Sequence, residues 1–179
     1  GPELQIGNLK IFGWWKNRIE KTYHKYKSYS DCRIILQSSF FAMLVPFVCF
    51  DLPAWLYWFE GGTFAIRNFD PSDPISAVFF APLIETFLVF FPLLEISRHI
   101  CLPRWLSYPA IIIFFESLHD QRSFLQHPFM WMTAYMFIVA YEAGRTRSLL
   151  HALLFCTIVH EAYNISCYLL HPRLYQSLF

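Results

Sequence analysis

Hydrophobic positions along the chain gather into five long runs, each closed by turn-forming or charged residues. The first extends from about Ile34 to Phe50 and can continue to Phe59, with Asp51 near its far end and kinks expected at Pro46 and Pro53. A polar loop follows, from Glu60 through Asp70-Pro71-Ser72. Asp73-Pro74 then has the form of a helix start, an N-cap acid followed by proline at the first helical position, and the second run reaches about Leu94. The third is short, from Trp105 to His119, with Pro109 near its beginning. The fourth runs from Pro128 to Ala143 and stops at Gly144, a residue suited to the position just past a helix end. The fifth extends from Ser148 to Leu170 and is closed by Pro172. A run of about 20 apolar residues spans a bilayer, and shorter ones need local thinning or burial among neighbouring helices.

Ahead of these runs, residues 3–33 form the one strongly basic part of the chain. Lys10, Lys16, Arg18, Lys21, Lys25, Lys27 and Arg33 alternate with Ile11, Phe12, Trp15, Ile19, Tyr23 and Tyr26 at helical spacing. This is the pattern of an amphipathic helix lying on an anionic leaflet, and equally of a solvated juxtamembrane helix that sets topology. Nucleic acid is not an expected partner, because a basic segment leading into hydrophobic spans reports orientation.

Composition strengthens the membrane reading. The chain is 56% hydrophobic and 15% charged, where an ordinary soluble domain has about 25% charged residues. An all-α, polytopic transmembrane bundle of about five spans is expected over residues 34–171, with a basic interfacial helix before it and a short tail at 172–179. Gly1-Pro2 resembles a remnant of tag removal and is set aside. Cys32, Cys49, Cys101, Cys156 and Cys167 are scattered without a CxxC pair, which argues against a disulfide framework or a zinc ribbon. With the N-terminus in the cytoplasm, the seven basic residues before the first run join Arg98, Arg104, Arg145 and Arg147 on the inner side, and Arg67, Arg122 and Arg173 fall outside. That distribution follows the positive-inside rule and puts the C-terminus on the opposite side.

Polar residues inside such a bundle are costly and mark functional sites. The candidates are Glu85, Glu116, His119, Glu142, His151, His160, Glu161 and Asn164. At 1.5 Å rise per residue, Glu85 lies roughly 16 Å from the outer end of its run, and His119, His160 and Asn164 lie roughly 22, 18 and 24 Å from the inner ends of theirs. In a hydrocarbon core about 30 Å thick, these four share one slab displaced outward from the midplane. His160 and Asn164, four residues apart, also share a helix face. Glu142 and His151 come out near the inner interface, where snorkelling to water accounts for them, and Glu116 and Glu161 occupy other helix faces.

Three ordered stretches, Pro82-Leu-Ile-Glu85, Phe115-Glu-Ser-Leu-His119 and His160-Glu-Ala-Tyr-Asn164, resemble the motifs PxxEExxxR, FxxxH and HxxxN/D of the CPBP family, the CAAX prenyl proteases and bacteriocin-processing enzymes. Gly144-Arg-Thr-Arg-Ser-Leu-Leu is similar to the family's turn into its last motif helix. The resemblance covers about residues 76–168. It departs from the pattern at Thr86, where the second glutamate belongs, and at Phe90, where arginine belongs; Glu95 with Arg98 offers a shifted alignment nearer the inner interface. The resemblance implies a glutamic intramembrane endopeptidase that needs no cofactor. Glu85 and His119 would activate water, and His160 and Asn164 would stabilise the oxyanion. The implied partner is a membrane-associated protein or peptide, such as a C-terminal anchor or lipidated tail.

Other readings of the same residues are a zinc protease and a non-cleaving scaffold. His160-Glu161-Ala-Tyr-Asn164 is one substitution from the HExxH of zinc proteases, but asparagine is a poor replacement for the second imidazole. A degenerate relative that binds a peptide or a transmembrane helix without cutting it also fits the losses at Thr86 and Phe90.

Overall fold

A computed structural model provides the architecture and describes residues 10–48, 75–119 and 126–170. All regular structure among the described residues is helical. The helices are α1 (Lys10–Lys27), α2 (Asp31–Pro46), α3 (Ser76–His99), α4 (Arg104–Ser117), α5 (Gln126–Arg145) and α6 (Leu149–Leu170). By length and composition α3 and α6 are apolar enough to cross a bilayer, with mean hydropathy 2.1 and 1.2 over Ser76–His99 and Leu149–Leu169. Asp51, Pro53, the 60–72 loop, the Asp73-Pro74 helix start, Pro172 and the tail lie outside the described residues.

α3 is the helix with an unusual build. It alternates π and α turns: Ser76–Phe80 is π, Ala81–Glu85 is α, Thr86–Phe90 is π, and Phe91–His99 is α. Each π turn immediately precedes a proline-bearing α segment, with Pro82 and Pro92 at its opening positions. Proline lacks an N–H and its ring clashes with the carbonyl four residues back. The wider turn relieves both problems: the Ala81 N–H bonds to the Ser76 carbonyl and that of Phe91 to Thr86, each five residues back. The widening also sets which face is buried. Val78, Pro82, Thr86, Phe90 and Leu94 are all buried, one every four residues. In an unbroken α-helix a four-residue repeat drifts about 40° per step; alternation with wider turns holds the stripe on one side.

α5 is the central helix. Ala134, Phe137, Ile138, Val139, Ala140, Tyr141 and Ala143 are buried in it, and α2, α4 and α6 pack around it. α1 docks across α4 and α5 through buried Ile19 and an ion pair between Glu20 and Arg104 at 3.0 Å. Its remaining described basic side chains stay exposed, in keeping with the amphipathic pattern. Outward faces are strongly apolar: Leu36, Phe40, Phe79, Leu88, Ile113 and Leu150 are each more than half exposed.

Helix ends follow local chemistry. Ser30 caps α2 by accepting from the Arg33 N–H, and Asp31 supplies an acid to the first turn. α3 ends in a Schellman arrangement, in which the Leu102 N–H reaches the Ser97 carbonyl (2.8 Å) and the Cys101 N–H reaches that of Arg98 (3.1 Å). Cys101 occupies the left-handed position, φ 57°, that glycine ordinarily takes.

Gly144 differs from expectation. It lies inside the last turn of α5, which continues to Arg145, and its value is steric: a Cβ there would sit 2.4 Å from the His151 carbonyl oxygen. The turn between α5 and α6 is therefore a close backbone crossing, and the Gly144 carbonyl accepts from both Arg147 (2.9 Å) and Ser148 (3.1 Å).

Candidate active site

Glu85 ends the α segment between the two π turns of α3, so its side chain projects next to the buried stripe rather than within it, at 23% exposure. His119 lies two residues beyond the end of α4, not inside a helix that reaches it. Its Nδ1 is 2.9 Å from the Phe115 carbonyl, in the last turn of α4, which also accepts from the Leu118 N–H at 3.2 Å. A carbonyl can only accept, so Nδ1 carries the proton and Nε2 is left to face Glu85. His160 sits in the middle of α6 with 3% of its side chain exposed.

These three side chains, from α3, the end of α4 and α6, meet. His160 Nε2 is 3.3 Å from one Glu85 carboxylate oxygen and His119 Nε2 is 3.7 Å from the other. Neither contact is a well-aligned hydrogen bond: Glu85 Oε2 is buried yet has no hydrogen-bond partner despite its closeness to His160. Close approach without a directed bond is the better description, and the accessible side of the cluster is formed by Glu85 and His119. His160 Nδ1 is likewise buried without a partner.

Aromatic rings fix His160. Phe137 stacks on it with centroids 4.0 Å apart, and Phe90 and Phe115 approach edge-on at 6.4 and 6.0 Å. Phe115 also packs against His119 at 4.5 Å, so its backbone and its ring both hold that histidine. Asn164, one turn beyond His160, donates from Nδ2 to the Ala77 carbonyl in the first π turn of α3, at 2.7 Å. An amide nitrogen carries two protons, so one N–H remains for another acceptor.

The positions that depart from the family pattern are filled by packing. Thr86 is fully buried and its hydroxyl donates to the Cys156 sulfur at 3.7 Å. Phe90 is fully buried between Phe115, Phe137 and His160. Glu95 is away from the histidines, held by Arg145 at 2.8 Å and by the Tyr141 hydroxyl at 3.0 Å. The shifted alignment therefore leads to a structural ion-pair network. Glu116 is bound by His127 and Trp131 of α5. Glu142 does not snorkel: it is 7% exposed and its Oε1 accepts from Arg98 at 2.9 Å. His151 is half-exposed beside Ser148, the residue that caps α6, and Asp31.

Among the described residues no group of three His, Cys, Asp or Glu side chains has metal-holding geometry. The two histidines address opposite oxygens of Glu85 rather than converging on one point. Phe137 was missed from sequence because nothing in its aromatic-rich run separates a ring that packs on a histidine from one that faces lipid.

No protein-family model matches the chain, and no curated protein or solved structure matches it.

Proposed function

We propose that the chain is a multi-pass intramembrane endopeptidase of the CPBP type, built on about five spans with the N-terminus cytoplasmic and the C-terminus opposite. The observation that carries this reading is Glu85 standing between His119 and His160, three ionisable groups from α3, the turn after α4 and α6 at one spot in an apolar bundle. Polar side chains are gathered so in an apolar bundle where they serve chemistry.

In the reaction, Glu85 takes a proton from a water held between its carboxylate and His119. The water oxygen attacks the carbonyl carbon of the scissile bond, and the carbonyl π electrons move to oxygen. The free N–H of Asn164 and the imidazole of His160 stabilise the resulting oxyanion. As the tetrahedral intermediate collapses, the C–N bond breaks and the proton held by Glu85 passes to the departing amine. A peptide in or beside the membrane, such as a C-terminal anchor or lipidated tail, is the substrate class.

One observation favours a second reading, a relative that binds such a peptide without cutting it: Phe90 fills with an aromatic ring the position where the family pattern has arginine. The two readings part on a trapping experiment. Glu85→Gln protein, folded and in membranes, should co-purify with an uncleaved partner that wild type releases in two pieces. Identical, intact partners on both proteins would favour the scaffold.

A further inference from the structure

Glu116 is 8% exposed and carries a carboxylate that the proposed chemistry does not use. Both side chains that hold it come from α5: the His127 Nδ1–H donates to one oxygen and the Trp131 Nε1–H to the other. His127 and Trp131 are four residues apart, so one face of α5 presents both donors. A buried carboxylate is tolerated where charge-assisted bonds of this kind satisfy it. Here those bonds fasten the last turn of α4 to the first turns of α5.

That last turn carries His119. The His119 N–H donates to the Glu116 carbonyl at 2.9 Å, its Nδ1 donates to the Phe115 carbonyl at 2.9 Å, and its imidazole packs on the Phe115 ring at 4.5 Å. Each of these attachments runs to Phe115 or Glu116, whereas the Glu85 carboxylate that His119 faces at 3.7 Å belongs to α3. The approach of His119 to Glu85 is therefore set by how the end of α4 sits in the bundle. Phe115 anchors one side of that turn, against Phe90 of α3 and Phe137 of α5. Successive helical residues point about 100° apart, so the Glu116 carboxylate anchors a second side. One anchor leaves the turn able to roll about the helix axis, and two fix the roll.

We propose that Glu116, clamped by His127 and Trp131, is a positioning residue that holds the His119 imidazole against Glu85. The inference rests on the roles of His119 and Glu85 in the functional reading, but the geometry it requires is readable without any cleavage. Misplacing a reacting group by about 1 Å costs about 100-fold in rate, so loosening the clamp should lower hydrolysis by that order in protein that remains folded.

The test uses the full chain in nanodiscs, isotope-labelled at its histidine ring nitrogens and observed by NMR, with the His119 signal identified by its loss in His119→Asn. In the wild-type background, Glu85→Gln should shift the His119 signal, because the carboxylate lies beside Nε2. In the background of Glu116→Gln, which keeps the volume and loses one of the two acceptor oxygens, or of His127→Leu, the same change should move that signal several-fold less. His127→Asn, whose amide N–H can replace Nδ1–H, should restore the response. Glu20→Gln, which breaks the pair with Arg104 at the other end of α4, should preserve it. A response of wild-type size in both Glu116→Gln and His127→Leu would overturn the inference. So would a response lost equally in Glu20→Gln, since α4 packing in general would then place the histidine. If Glu116→Gln does not fold, the contrast between His127→Leu and His127→Asn decides. Absence of cleavage by wild type, with the ring responses as expected, would remove the functional reading and keep the clamp.

Discussion

Phe137 lies face to face with His160, the ring centroids 4.0 Å apart and the planes 25° from parallel. The contact ties the most buried member of the candidate site to the central helix. Phe137→Ala should cost about 3–5 kcal/mol, the range for truncating a buried aromatic, read as a lowered midpoint of unfolding in detergent. Phe137→Leu keeps much of the volume and should retain the fold while loosening the imidazole, so histidine NMR line widths should change more than stability does.

Placing at Phe90 the arginine of the CPBP pattern that the chain resembles should fail. Phe90 is fully buried against three rings, and a guanidinium there would be desolvated among them and too long for the space. Phe90→Arg is expected to cost several kcal/mol and to deplete folded protein in membranes. Thr86→Val, by contrast, removes a weak hydroxyl–sulfur contact and should cost no more than about 1 kcal/mol. Equal membrane abundance of the two variants would contradict this packing account.

Gly144→Ala should destabilise the turn between α5 and α6, because the new methyl meets backbone at 2.4 Å and backbone cannot rotate away. Overpacking of this kind costs about 1–3 kcal/mol, measurable by thermal unfolding.

Cys101→Gly should do the reverse. Cys101 holds a left-handed conformation, φ 57°, at the end of α3, and an L-residue there costs about 1–2 kcal/mol. Part of that gain is offset by the extra freedom glycine gives the unfolded chain. A net rise of up to about 1 kcal/mol in unfolding free energy is expected.

The helices were legible because their hydrophobic runs are long. Glu85, His119 and His160 were legible as a group because depth along a helix follows from residue counting alone. What the chain conceals is azimuth. The π turns of α3 change which residues face inward, and they arise from the paired prolines Pro82 and Pro92, which from sequence predict only a kink. His119 was assigned to a helix because helix ends depend on capping bonds that periodicity does not reveal. Glu142 was expected to reach water; instead Arg98, from another helix, supplies its partner, and such distant pairing leaves no mark on local pattern.

The central claim is that Glu85 activates water for peptide-bond hydrolysis, and profiling the termini of membrane proteins in cells carrying wild type or Glu85→Gln tests it most directly. Loss of a general base lowers rates by about 10²–10⁴, so the account predicts at least one membrane protein whose uncut tail persists only in the variant. Identical termini in the two strains, with Glu85→Gln protein at wild-type abundance in the membrane, would contradict it.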